Sequence, residues 1–89
     1  MILMLVLLTL LTLTAVTFAM GQAGYINADQ VNLRSAPSIS ADIVGVLARG
    51  EKVGFYDRIP DAQGNFWTEI AVIRTGQYGY ALKRFVSPR

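Results

Sequence analysis

The chain has 89 residues, no cysteine and no histidine, and its eight basic and six acidic side chains give a formal net charge of +2. These absences exclude a disulfide framework, a thiolate nucleophile, a zinc site built from cysteine or histidine, and a histidine general base. The carboxylates are scattered and the two signs of charge are interleaved, so a carboxylate-based hydrolase and a polyanion binder are both disfavoured. We therefore expect no catalytic residue, metal, cofactor or nucleic-acid partner.

The N-terminal segment is strongly apolar. The first 28 residues carry no charged side chain, and residues 1–20 consist of sixteen apolar residues and four threonines. Such a run is typical of a secretory signal, although the basic start that signals usually carry is missing. Small residues suit cleavage before Met20 or before Gly24. About 20 residues also suffice to span the hydrocarbon core of a bilayer as an uncleaved anchor helix, and a buried core helix is the third alternative.

This segment, the leader, predicts both the domain organisation and the location of the protein. We assign residues 1–23 to a signal peptide or an uncleaved membrane anchor, and residues 24–89 to one folded domain. Either main fate of the leader places the domain outside the cytoplasm, in the periplasm or the extracellular space. Membrane contact is expected only through residues 1–20, and only if the leader is not cleaved.

The remainder of the chain predicts an all-β domain, because glycine and proline separate short runs of alternating or β-branched residues. A bulge near Asp29 and Gln30 would bring the apolar residues on either side of it to one face of the sheet. Five short strands are too few for two stacked sheets, so we expect one sheet that curls into a small barrel. The predicted strands are residues 25–34, 43–47, 52–58, 66–73 and 78–81, followed by a 3₁₀ turn and a closing strand within residues 82–86.

Alternation along the strands predicts which side chains are buried. Leu33 and Ile70 are expected to face the core. Trp67 has the opposite parity to Ile70, so it is predicted to lie on the outer surface. Tyr56 and Arg58 share the outward parity of their own strand. We therefore expect Trp67 and Tyr56 to form one apolar strip beside the loop at residues 60–65.

Five sequence features follow one another in the domain. They are Val31-Asn32-Leu33-Arg34-Ser35-Ala36-Pro37-Ser38, Val44-Gly45-Val46-Leu47 followed by Gly50 and Val53, Trp67 with Ile70, Gly79-Tyr80, and Phe85-Val86. In this order they resemble the features of bacterial SH3-like (SH3b) domains. The resemblance covers residues 25–86 and implies an SH3-like barrel that binds a ligand without catalysis. The chain departs from the usual pattern at Ala36, where many relatives carry glycine, and in the longer loop at residues 60–65.

The resemblance and the strand parity together select five candidate ligand-binding residues. Each has a structural alternative. Tryptophan packs well even when one edge is wet. For Tyr25, Tyr78 and Tyr80 a core position with a bonded hydroxyl is the favoured interpretation, and Phe85 is expected to face the core. The arginine can clamp a ligand carboxylate or pair within the fold with Asp42 or Glu69. The five candidates are Trp67, Tyr56, Arg34, Tyr80 and Phe85.

Three further cations, Lys83, Arg84 and Arg89, form a small basic end of the chain. A solvated terminus is the simpler interpretation, and contact with an anionic lipid or wall polymer is the alternative.

Exported relatives in the family commonly sit in the cell envelope, and several recognise peptidoglycan peptides or other proteins through aromatic-lined surfaces. The resemblance therefore implies an exported binding module that recognises a peptide or a peptidoglycan fragment. The alternative is a membrane-anchored adaptor whose barrel docks another envelope protein.

Overall fold

A computed structural model describes residues 21–89, and this part of the chain is all-β apart from one 3₁₀ turn at Lys83–Phe85. The predicted signal or anchor helix falls on residues 1–20, which lie outside the described residues. Within residues 21–89, no helix has the length and apolar character needed to cross a membrane. The strands are β1 (Gln22–Ile26), β2 (Val31–Arg34), β3 (Ile43–Leu47), β4 (Lys52–Pro60), β5 (Phe66–Val72), β6 (Tyr78–Leu82) and β7 (Val86–Pro88).

The strands form one antiparallel sheet in the order β3-β2-β6-β5-β4-β1-β7. Every strand contributes at least one side chain to a single hydrophobic cluster, so the sheet curls around one core and agrees with the predicted SH3-like arrangement. Leu33 and Ile70 have no exposed surface, which confirms their predicted core positions. The members of the cluster are Ile26, Val31, Leu33, Leu47, Val53, Phe55, Ile70, Val72, Ala81 and Val86.

The prediction of five strands and a closing strand is wrong in its count, because the described residues form seven strands. Instead of a bulge, the first predicted strand has a complete break at Gln30. The φ of Gln30 is 54°, in the left-handed region that residues other than glycine seldom adopt. After the break the two halves take different neighbours: β1 pairs with β4 and β7, whereas β2 pairs with β3 and β6. Both halves still bury their apolar residues in the common core, as predicted.

A bulge in β4 sets the positions of several polar side chains. Phe55 pairs with Ile70 and Arg58 pairs with Thr68, so Tyr56 and Asp57 together face one residue of β5. The extra residue reverses the alternation beyond it. Arg58 therefore lies on the same side of the sheet as Phe55, and the prediction that it shares the face of Tyr56 is wrong.

Gly79 in β6 allows β2 to approach closely. A Cβ atom at this position would lie 2.7 Å from Leu33 Cγ and 2.8 Å from the carbonyl oxygen of Arg34. Only glycine fits such a contact without displacement of the neighbouring strand. The contact holds Arg34 opposite Tyr80 in the sheet.

Candidate functional site

Three tyrosines meet on the outer surface of the sheet. Tyr56 comes from the bulge in β4, and Tyr78 and Tyr80 come from alternate positions of β6. Tyr80 pairs with Glu69 on one side and with Arg34 on the other. We call these five residues the tyrosine face. It contains three of the predicted site residues, namely Tyr56, Tyr80 and Arg34.

The rings of Tyr56 and Tyr78 contact each other on the tyrosine face. Their centroids lie 6.3 Å apart with the ring planes at 39°, and 51% of Tyr78 is exposed. A hydrogen bond with Tyr56, together with desolvation and a weaker contribution from Glu69, raises the pKa of Tyr78 above its ordinary value. The two rings are therefore held against each other, and together they present an apolar ring face and a polar edge.

Arg34 is fixed by a backbone contact. Its Nη1 atom donates a hydrogen bond of 2.9 Å to the carbonyl oxygen of Ala41. The predicted pairing with Asp42 or Glu69 is not found within residues 21–89, where the ion pairs are formed by Arg49 with Asp29 and by Arg74 with Glu51. The predicted carboxylate clamp by Arg34 stays a prediction.

The prediction that Trp67 lies exposed beside Tyr56 is wrong, because only 1% of its surface is accessible. Alternation does place Trp67 away from the main hydrophobic cluster, which contains Ile70 and Val72 but not Trp67. Its indole Nε1 donates a hydrogen bond of 2.9 Å to Asp61 Oδ2. The indole is thus tied to the loop at residues 61–65, and that loop excludes it from the predicted binding strip.

Asp61 organises this loop. Its Oδ1 atom accepts hydrogen bonds of 2.9 Å from the backbone N–H groups of Gln63 and Asn65, and its Oδ2 atom accepts the Asn65 amide at 3.1 Å as well as the indole. The bond from Trp67 is the largest of the effects that lower the pKa of Asp61. The sequence analysis missed this role, although an aspartate in a run of turn-forming residues is a recognised signal for such backbone bonds.

A groove lies beside Tyr56, at the edge of the tyrosine face. It encloses about 560 Å³, and its lining includes Phe55, Tyr56, Asp57, Arg58 and Lys83. A neighbouring depression of about 370 Å³ shares Arg58 and Lys83 with it, and adds Phe66 and Arg84 among others. We call the two together the basic groove.

Each cation of the basic groove lies over an aromatic ring. The Arg58 guanidinium carbon is 4.6 Å from the centroid of the Phe66 ring, and Lys83 Nζ is 5.3 Å from that of Phe55. Arg84 lies 4.9 Å from the centroid of Phe85, the last predicted site residue, which is half-buried against the core. Phe85 thus packs against the core and also contacts Arg84, one of the groove cations.

The chemistry available on these surfaces consists of phenol hydroxyls, ring faces, two carboxylates and several fixed cations. Within residues 21–89, no group of three or more acidic side chains is placed to hold a metal ion. The arrangement suits the binding of a polar, extended ligand.

Tyr78 and Glu69 are the members of the tyrosine face that the sequence analysis left out of the candidate site. The prediction that Tyr25 and Tyr78 are core residues is wrong, since 39% of the surface of Tyr25 and 51% of that of Tyr78 are exposed. A signal was present, because Tyr78 and Tyr80 flank Gly79 and must share one side of β6.

A family model described as "Bacterial SH3 domain" matches residues 29–87, from the β1–β2 connection into β7. No curated protein and no solved structure matched the chain. The match extends over more than half of the sequence and includes every residue of the tyrosine face. The chain therefore belongs to the bacterial SH3 domain family.

Proposed function

We propose that this protein is a non-catalytic binding module of the cell envelope that recognises a peptide or a peptidoglycan fragment through its tyrosine face. The family is one of bacterial cell-wall or peptide binding modules, which supports the general class. The observation that carries the proposal is the pair formed by the half-buried Tyr56 and the exposed Tyr78, whose rings and hydroxyls are held together on the outer surface.

These side chains are ordered before a ligand binds. Tyrosine supplies a large apolar ring with a polar tip, and aromatic anchors dominate the energy of many interfaces. The Tyr56–Tyr78 contact and the bond from Arg34 to Ala41 already restrict the side chains. Binding therefore costs little additional conformational entropy.

Export is part of the proposal, and β1 adds a constraint on how the leader is processed. Gln22 and Ala23 pair with Phe55 and Gly54, so cleavage before Gly24 would remove two residues of β1. Cleavage before Met20 keeps the strand whole. We expect the processed protein to begin at Met20, and its intact mass after cell fractionation tests this. A protein that retains residues 1–19 would belong to the membrane-anchored class.

A second candidate function is an adaptor that docks another envelope protein, and an edge strand of the described sheet favours it. Within residues 21–89, β3 pairs with β2 alone, and Ile43, Val44 and Val46 in it are 52%, 42% and 61% exposed. Such an edge offers backbone and apolar side chains to a strand of another protein. The variant Val46→Lys would abolish binding of that kind and leave peptidoglycan binding unchanged.

The direct test of the proposed function is co-sedimentation of the full chain, purified in mild detergent, with isolated peptidoglycan. We expect Tyr56→Ala and Tyr78→Ala each to weaken binding about tenfold or more, the usual effect of truncating an aromatic anchor. Tyr25→Ala is the matched control, because it removes an exposed tyrosine that belongs to neither the tyrosine face nor the basic groove. Equal binding by all four proteins would contradict the proposal.

A further inference from the structure

The excess positive charge of this protein is concentrated in one place. The basic groove contains three cations and one carboxylate, a difference equal to the formal net charge of +2 for the whole chain. The other five cations and five carboxylates balance one another. The groove charges are Arg58, Lys83, Arg84 and Asp57.

None of the three groove cations forms an ion pair within residues 21–89. This differs from Arg49 and Arg74 elsewhere on the domain, which lie 3.2 Å and 3.0 Å from the carboxylates of Asp29 and Glu51. Lys83 Nζ donates a hydrogen bond of 3.4 Å to the carbonyl oxygen of Val86, which leaves its charge without a carboxylate partner. A cation in a concave surface with no carboxylate partner retains its capacity to bind an external anion.

The cations are also held in position by the rings beneath them. A guanidinium group that lies over a ring uses its flat face for that contact and keeps its N–H edge free. Arg58 lies over Phe66 and Arg84 over Phe85, so both can present such an edge. That edge matches the two oxygens of a carboxylate.

We infer that the basic groove binds the carboxylate groups of an acidic peptide, with Arg58 as the principal contact and Lys83 and Arg84 as supporting cations. This inference rests on the proposed function, and it defines the ligand as a peptide that carries free carboxylates. Tyr56 belongs to both the tyrosine face and the groove, so one extended peptide can contact the tyrosines and place its carboxylate near Arg58.

The test compares two probes by titration calorimetry against the full chain in mild detergent. One probe is the peptide Ala-Glu-Ala-Ala with free carboxylates, and the other is Ala-Gln-Ala-Ala with a C-terminal amide. We expect only the acidic probe to bind, with an affinity that falls as salt is added, because the groove is open to solvent. Arg58→Gln should weaken that binding about tenfold, the effect of one lost charged hydrogen bond.

Two variants control for other causes. Lys52→Gln makes the same change of charge at an exposed position outside the basic groove and should bind the acidic probe as the wild type does. Arg58→Lys keeps the charge without the two-pronged geometry and should bind with intermediate affinity. If Arg58→Gln does not fold, the inference is tested by two other results: the affinity of Arg58→Lys for the acidic probe, and the difference in binding between the two probes.

Equal binding of both probes, or no binding of the acidic one, would overturn the inference. Binding of glycerol phosphate in preference to the acidic peptide would also overturn it, by showing that the groove takes phosphate-bearing polymers. Sedimentation with peptidoglycan that depends on Tyr56 and Tyr78 but not on Arg58 would reject this inference alone. Failure of the wild type to sediment would reject the proposed function itself.

Discussion

Trp67 and Tyr78 occupy opposite ends of the same two paired strands and share the outer side of the sheet, yet their environments differ completely. Trp67 pairs with Leu82 and is 1% exposed, whereas Tyr78 pairs with Ala71 and is 51% exposed. The difference comes from the adjoining connection. Asp61 in one loop binds the indole directly, while the turn next to Tyr78 leaves its ring open to solvent.

This comparison shows that strand parity assigns a side chain to a face, and that loop chemistry decides whether the face is accessible. The tryptophan therefore serves stability and the tyrosine is available for binding. The predictions below separate these two roles, from the largest expected effect to the smallest.

Trp67→Ala should destabilise the domain by about 3–5 kcal/mol, because it leaves a large cavity and removes the indole bond to Asp61. Tyr78→Ala, at the exposed end, should cost about 0.5 kcal/mol or less. Urea unfolding of the full chain followed by circular dichroism measures both. A stable Trp67→Ala protein would show that the indole packs loosely and would restore it as a candidate ligand contact.

Gly79→Ala should destabilise the domain by about 1–3 kcal/mol, since the new methyl group collides with Leu33 and with the Arg34 carbonyl. It should also weaken ligand binding, because the collision displaces Arg34 from its position opposite Tyr80. Gly64→Ala is a useful comparison: nothing lies within 4 Å of its Cβ position, and any loss comes from its φ of +87° alone. Unfolding and sedimentation measured on both variants distinguish a steric effect from a backbone effect.

Asp61→Asn should lower the melting temperature at neutral pH, because the carboxylate accepts bonds from the loop and from Trp67. The folded-state pKa of Asp61 lies below its ordinary value of 3.8, so the ionised group stabilises the fold above that value. This contribution is lost as the pH falls through the lowered pKa. Melting curves recorded from about pH 7 to about pH 2 should show the difference between wild type and variant shrinking towards the acid end. A difference in melting temperature that stays constant with pH would show that the substitution acts through the geometry of the loop and not through the charge of Asp61.

Tyr78→Phe should have the smallest effect, because it keeps the ring and removes only the hydroxyl that bonds Tyr56. The expected loss of peptidoglycan affinity is about two- to tenfold, the range for one neutral hydrogen bond. Tyr25→Phe is the control. An effect as large as that of Tyr78→Ala would mean that the hydroxyl, and not the ring, makes the main contact.

Most of the fold could be predicted from local sequence signals. The strand at residues 43–47 coincides with β3, and the alternation of Leu33 and Ile70 with polar neighbours identified core positions. The sequence predicted the position of the break at Gln30, but not that the break separates two strands completely. That separation depends on which distant strands β1 and β2 each join.

The candidate site could be predicted only in part. Tyr56, Tyr80 and Arg34 were selected from parity and resemblance, and all three lie on the tyrosine face, while their role in binding stays a prediction. Trp67 was misassigned because it is buried and bonded to Asp61, six residues earlier in the chain, and alternation carries no information about such a contact. Arg58 was misassigned because the bulge in β4 is visible only in the pairing with β5.

The central claim is that the ligand binds across the tyrosine face and the basic groove. Its most direct test is an amide chemical-shift titration of the ¹⁵N-labelled full chain, in detergent micelles, with a soluble peptidoglycan fragment that carries free carboxylates. We predict that the largest shifts occur at Tyr56, Arg58, Tyr78 and Tyr80, with small changes along β3. Shifts concentrated in β3, or absent from the tyrosines, would contradict the account.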